Sequence, residues 1–391
     1  MKKFLNGMAA LTLSAAMVVS MTACDDDDKP NVETNNDELY QSILVTYVET
    51  TIVPTYKALA EAALEMRTAN EALKQNPTDA AMKSASDAWM KARIEWEKSE
   101  AFLFGPVGEN ALDIDGHIDS WPLELENIKK VLADGALGLT GEKAWNMDPE
   151  EIGFHVTEYL LYRDGKARPV ADMDEAQLNY LTAATDALVW DCVLAYVAWV
   201  GEANVSATMR EVFNENPDVV AHLNKNADYK EFAKALTTKT GIYASSSWAA
   251  ALEEISGGAA EIAGEVAEQK IAAPYDDKRV EDVESWYSWH SLDDYLNNIH
   301  SIKNAYFGGV SESSRSNNSL SKYLAEVDPA LDSKLQAQIE DCIAKIKNIG
   351  KDGKSFYEVV RDQTNKEEVD AAVEACSELE QLFAGVADVI E

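Results

Sequence analysis

The chain has 391 residues, with 69 Asp and Glu against 34 Lys and Arg, and a formal net charge of −35. Nucleic-acid binding rests on Lys and Arg neutralising phosphate, so this balance argues against that partner. It suits a cation, although surface acidity also serves solubility. The length beyond the first 23 residues suggests two domains.

Lys2 and Lys3 precede an apolar run through Leu11, Leu13, Ala16, Val18 and Val19, and no acidic residue occurs before position 25. This pattern predicts a secretory signal peptide over residues 1–23. Met21-Thr22-Ala23-Cys24 resembles a bacterial lipobox, with Met21 where Leu is commoner. In that reading Cys24 is the first mature residue and carries the lipid. Removal of residues 1–23 takes away both lysines and leaves a net charge of −37. Asp25 to Asp28 open a polar stretch over 24–36 that cannot bury a core and is expected to be a solvated acidic tether. An acidic run beside a lipidated cysteine resembles the surface-export signals of some gram-negative lipoproteins. The expected location is the cell envelope, anchored to the outer membrane on its surface or periplasmic face.

Helical periodicity dominates the chain beyond the tether. Met82, Ala85, Trp89, Ala92 and Trp96 step by three and four, as do Leu335, Ile339, Cys342, Ile346 and Ile349. The spacing predicts an all-α chain. Helices are expected near 37–74 (bent at Pro54), 78–104, 149–163, 174–202, 228–268, 285–307, 329–350 and 366–388. Thr364 and Glu367 read as a capping box for the last. The polar stretch 203–227 holds Pro217 and suggests a junction between two packed helical bundles, 37–215 and 216–391. The apolar run from Ala187 to Val200 is interrupted by Asp191 and is too short to span a bilayer. Cys192, Cys342 and Cys376 sit among apolar residues, which predicts buried thiols; a Cys342–Cys376 bridge is the alternative.

Two segments carry candidate chemistry. In Gly153-Phe154-His155-Val156-Thr157-Glu158, positions three apart share a helix face, so His155 and Glu158 could both reach one cation. A surface His–Glu pair is the plainer reading. HExxH is absent, and Tyr159 stands where HxxEH needs histidine, which weakens a zinc-hydrolase reading. Glu100 lies four residues after Trp96, continuing an apolar stripe, and a carboxylate facing a core needs a metal, Arg or Lys partner. Asp113, Asp115, His117 and Asp119 come next, in a loop, with His117 read as a bystander. His222 reads as a surface residue.

The GxHxxE segment resembles the motif of the imelysin family. Ser99-Glu100-Ala101-Phe102 with Gly105, and then Asp119-Ser120-Trp121-Pro122, resemble that family's preceding segment in the same order. Ser288, Ser291, Asp294, Asn297, Asn298, Asn304, Tyr306 and Gly308 resemble its second-half motif, with Trp289 and His290 departing from the usual acidic and amide residues. The resemblance covers most of the mature chain. It implies a two-domain, all-helical lipoprotein linked to iron acquisition. By position, it implies metal ligation by His155 and Glu158 with Glu100 and Asp119, Asp115 being an alternative to Asp119. Ser288, Ser291 and Asp294 are further candidates, although Ser291 and Asp294 could equally cap a helix. Carboxylate and imidazole ligands suit iron and permit zinc or manganese. The resemblance leaves three functions open. One is capture of iron or an iron-containing ligand, with envelope iron-uptake proteins as candidate partners. Another is a metal-dependent peptidase, as some members of the family are labelled. The third is a non-catalytic interaction module.

Overall fold

Apolar residues three and four apart build nearly every element, and the fold is all-α as expected. The computed structural model describes residues 36–390 apart from Leu137. The signal segment, Cys24 and nearly all of the tether lie outside the described residues. The longer helices are α1 (Asn36–Tyr47), α2 (Val53–Gln75), α3 (Asp79–Glu97), α4 (Gly153–Leu161), α5 (Glu175–Val200), α6 (Trp248–Glu265), α7 (Ser291–Phe307), α8 (Pro329–Ile349) and α9 (Lys366–Ala384). Among the described residues the strands are two residues long, Tyr162–Arg163 pairing antiparallel with Lys166–Ala167.

The expected bend at Pro54 takes a specific form. A π-helical turn, Val48–Ile52, joins α1 to α2 directly before the proline. Proline has no amide to continue the α ladder, and a widened turn absorbs the missing bond. The same device follows α6, where the π turn Val266–Ala272 precedes Pro274. That second turn carries Lys270.

Several expected boundaries move. The helix expected over 228–268 breaks, because Ser247 accepts from the Ala250 amide and starts α6 afresh. The helix expected to 104 stops at Glu97, so Glu100 sits on a separate 3-10 turn, Glu100–Phe102. Residues 285–290 are not helical; Ser285 and Trp289 adopt left-handed backbone angles there. The Thr364–Glu367 cap does not form. Asn365 instead takes the left-handed conformation before α9, and its side chain donates to the Ile349 carbonyl.

α2 packs on α3 and α5, while α6 packs on α1, α7 and α9. The described residues form one compact unit around a continuous core, and α1 meets elements from beyond residue 216. Tyr40 of α1, for example, shares a hydroxyl–hydroxyl bond of 2.9 Å with Tyr323. Trp89, Trp96 and Trp199 are fully buried. Each contributes roughly 4–6 kcal/mol of transfer free energy before conformational entropy is set against it. α5 is long and apolar enough to cross a membrane, but it is the buried central helix of this core. Cys192, Cys342 and Cys376 are buried free thiols, so the Cys342–Cys376 bridge is not formed. The adjacent Cys376 side chain, and then burial, push the Cys342 thiol up.

Candidate metal centre

The site is organised around one buried guanidinium. Arg93 lies one turn before Glu97 on the face of α3 that carries Trp89 and Trp96, and all four side chains are buried. A charge without solvent needs partners, and Arg93 has four. Its Nη2 is 2.5 Å from Glu97 Oε1 and 2.8 Å from Glu284 Oε1, and its Nε is 3.5 Å from Asp294 Oδ2. Its Nη1 donates to Asp119 Oδ1. Lys270 supplies a second cation, 3.3 Å from Glu284 and 3.5 Å from Glu265. From α7, Asn298 Nδ2 donates to Glu97 Oε2 at 2.5 Å.

His155 is positioned from α4. Gly153 opens that helix with φ of 77°, and a Cβ there would lie 2.3 Å from the Ile118 carbonyl oxygen. Only glycine lets α4 abut the Ile114–Ile118 turn, whose next residue is Asp119. Trp89 Nε1 fixes the first turn of α4, donating to the Phe154 carbonyl and to Thr157 Oγ1 at 3.0 Å each. His155 Nδ1 lies 3.4 Å from Glu158 Oε2, and Glu158 Oε1 accepts from the Ser288 amide at 2.8 Å. His155 Nε2 lies 3.0 Å from Asp119 Oδ1 yet makes no hydrogen bond. The Trp121 ring, centred 4.8 Å away, covers the imidazole. Trp96 Nε1 donates to Asp119 Oδ2 at 2.6 Å.

Carboxyl groups outnumber the cations Arg93, Lys270 and His155 in this centre, and burial favours the neutral form of several of them. Burial pushes the Glu97 and Glu100 carboxyls well up, with Arg93 easing the first and Lys270 the second only in part. Burial also raises Asp115 to about 7 and Asp294 to about 8. Asp119 goes the other way: burial pushes it up, but Arg93 and then His155 outweigh this and hold it well below the usual carboxylate range. Burial pushes the His155 imidazole down, and Asp119 and Glu158 more than reverse that, to about 9.

Two triads of donor atoms are close enough to share one ion, Asp119 with His155 and Glu284, and Glu97 with Glu100 and Asp119; within each, the atoms lie within 4.8 Å of one another. An imidazole held at one nitrogen by a carboxylate, with the other nitrogen facing further carboxylates, is how proteins orient a metal-binding histidine. A cavity of about 310 Å³ reaches this point, lined by Glu100, Asp115, Asp119, Trp121, Lys270 and Glu284 among others.

The structure brings His155, Glu158, Glu100 and Asp119 into one site. Glu158 lies at Nδ1, on the far side of the imidazole from the triads. Of the second-half candidates, Ser288 contributes its amide, Ser291 Oγ donates to the Glu284 carbonyl at 2.5 Å, and Asp294 faces Arg93. None of them caps α7, whose N-cap is His290 without a side-chain bond. Sequence reasoning missed Arg93, Glu97, Lys270 and Glu284, and it named Asn298 only as a motif residue without a role. Arg93 and Glu97 carried a signal, since each stands directly beside a core position of the Trp89–Trp96 stripe and the two are at (i, i+4) spacing. Lys270 and Glu284 carried none. His117 stands apart, bonded to Asp191, and His222 is half-buried against the Leu112 carbonyl instead of lying free on the surface.

An all-helical protein with a buried histidine–carboxylate centre, closed by loops from both halves of the chain, is the class these observations define. The imelysin family model matches residues 52–383, and the chain belongs to that family. It is 25% identical over 292 residues to iron-regulated protein A of Synechococcus elongatus, spanning 75% of this chain and 71% of that protein. The crystal structure of a protein described as an iron-regulated protein A precursor, from Parabacteroides distasonis, superposes with a TM-score of 0.74 at 29% identity, covering 94% of this chain and 98% of that one. An imelysin-like protein from Psychrobacter arcticum 273-4 shares the fold, with a TM-score of 0.61 at 14% identity over 93% and 95% of the two chains.

Proposed function

We propose that this protein captures iron, free or within an iron-containing ligand, for acquisition at the cell envelope. Asp119, His155, Glu284, Glu97 and Glu100 are the candidate ligands, and Glu158 orients His155 through Nδ1. The observation that carries the reading is His155 Nε2, buried, without a hydrogen bond and 3.0 Å from a carboxylate. A buried imidazole nitrogen paired with a carboxylate but outside hydrogen-bond geometry is left short of a bond, and a cation bound by both groups supplies one. Mixed nitrogen and oxygen donors suit iron and permit manganese or zinc. The iron-regulated naming of two relatives supports an iron-related role. A lipid on Cys24 would hold the protein to the outer membrane, within reach of envelope uptake partners.

The test is elemental analysis of protein purified without chelators, beside the His155→Ala and Asp119→Asn variants. Stoichiometric iron in the wild type and its loss in both variants is expected. Equal metal in all three sinks the proposal. Chelator-sensitive cleavage of a peptide library, lost in His155→Ala, would replace capture by hydrolysis.

A further inference from the structure

Resting on that capture reading, we infer that the substrate is a free divalent cation, which reaches the centre along an acidic face of α6 without an anionic chelator. A second cavity, of about 560 Å³, shares Glu100, Leu103, Asp115 and Glu265 with the inner one. Beyond those shared residues it is lined by Glu109, Glu253, Glu254 and Glu261, and no Lys or Arg lines it among the described residues. Glu253, Gly257, Glu261 and Glu265 succeed one another at steps of four along α6, so they form one row of about 6 Å spacing. Gly257 leaves the row open, since a Cβ there would meet nothing within 4 Å. Gly258 sets the helix tight against the Glu100 turn, where a Cβ would fall 2.2 Å from the Ala101 carbonyl oxygen.

Acidity alone would mark only a solvated face. Two buried atoms show that the row leads to a ligand. Glu284 is 8% exposed and lines the inner cavity, and its Oε2 has no hydrogen-bond partner. His155 is 0% exposed, and its Nε2, which makes no hydrogen bond, is ion-paired at 3.0 Å with Asp119 of the same cavity wall. Lys270 is the one basic residue lining that cavity among the described residues. A wall of carboxylates focuses field lines and concentrates cations, and it repels citrate carboxylates or haem propionates that would arrive with chelated iron. The geometry therefore selects by charge before any ligand atom is reached.

The experiment presents three probes to the tether-and-bundle protein under anaerobic conditions: ferrous sulfate, ferric citrate and haemin. Ferrous ion should bind, with the other two at least about 100-fold weaker, the upper part of the range that field focusing gives. The double variant Glu253→Gln/Glu261→Gln should slow ferrous association about tenfold at low ionic strength, with dissociation unchanged and the difference closing at high salt. Glu109→Gln, outside α6, should show the same sign and guards against a helix-specific folding defect. Binding of ferric citrate or haemin as tight as ferrous ion overturns this inference while capture stands. No binding of any probe overturns capture itself. An association rate unchanged in both variants removes the cleft as the route.

Discussion

His117 and His155 are both imidazoles beside an aspartate, the first half-buried and the second fully buried, and they differ further in how their nitrogens are bonded. His117 has both nitrogens occupied: Nδ1 lies 2.7 Å from Asp191 Oδ2 and Nε2 3.0 Å from the Trp145 carbonyl. His155 has Nδ1 against Glu158 and Nε2 ion-paired with Asp119 at 3.0 Å but making no hydrogen bond. Around His117 the acceptors match the donors, so the cluster is complete as it stands and acts as a brace. Around His155 carboxyl groups outnumber the cations Arg93, Lys270 and His155 itself, and the capture reading places a further positive charge among them. Under the capture reading, the same residue pair serves as a strut in one place and as half of a binding site in another, and the hydrogen bonds that His117 completes and His155 Nε2 lacks separate them.

The sharpest way to break this contrast is to remove the cation that makes the metal-free centre tolerable. Arg93→Met leaves Glu97, Asp119, Glu284 and Asp294 without their shared partner. Unfolding in urea should show a loss of about 3–5 kcal/mol, the cost of stranding buried charge. Added ferrous ion should recover part of it, because a dication can stand in for the guanidinium. A variant as stable as wild type would mean the carboxylates are neutral without Arg93.

The pH dependence should distinguish the centres next. His155 is raised to about 9 in the fold, above its ordinary 6.5. Its contribution to metal-free stability is therefore fully present below about 6.5 and is lost as pH rises through about 9, roughly 3 kcal/mol in all. A metal takes the place of the Nε2 proton, so ferrous affinity should strengthen over the same interval and binding should release protons. Stability curves of wild type and His155→Gln, measured without metal at pH 6 and pH 9.5, check the first claim: the gap between them should close at the higher pH.

How much of the fold and the centre could be read from sequence depends on which forces act locally. Periodicity found the helices because side-chain spacing is a local property, and it placed α8 and α9 within a few residues. It mistook 285–290 for helix, because left-handed Ser285 and Trp289 answer to tertiary contacts such as the Ser288 amide on Glu158. The motif residues His155, Glu158, Glu100 and Asp119 were legible through family resemblance. Lys270 and Glu284 were not, since nothing near them in the chain marks Glu284 as a partner of Arg93 on α3 or Lys270 as a partner of Glu284. The role of Gly153 becomes visible only once the Ile118 carbonyl is seen beside it.

That glycine offers a smaller perturbation. Gly153→Ala adds a Cβ where φ is 77° and the Ile118 oxygen is 2.3 Å away. A loss of about 2 kcal/mol is expected from backbone strain and the shift needed to relieve the contact. Because relief moves α4 away from the Asp119 turn, ferrous affinity should fall more than stability predicts. Unchanged affinity in a destabilised variant would mean that His155 and Asp119 need no close register.

The smallest effect belongs to the brace. Asp191→Asn keeps the shape of the side chain on α5 but takes the charge from between His117 Nδ1 and Trp145 Nε1, which lie 2.7 Å and 2.8 Å from its oxygens. Burial pushes the His117 imidazole down, and Asp191 more than reverses this, leaving it raised. The stabilisation is thus present in full below pH 6.5 and fades as pH rises through the raised value. A loss of about 1–2 kcal/mol is expected at pH 6, shrinking at pH 9. The Ile114–Ile118 turn holds Asp115 and leads directly into Asp119, so loosening His117 should weaken ferrous binding only by the mobility it gives that turn. A several-fold drop in affinity, against the complete loss expected for His155→Ala, would keep strut and ligand distinct. Complete loss in both would place His117 within the centre after all.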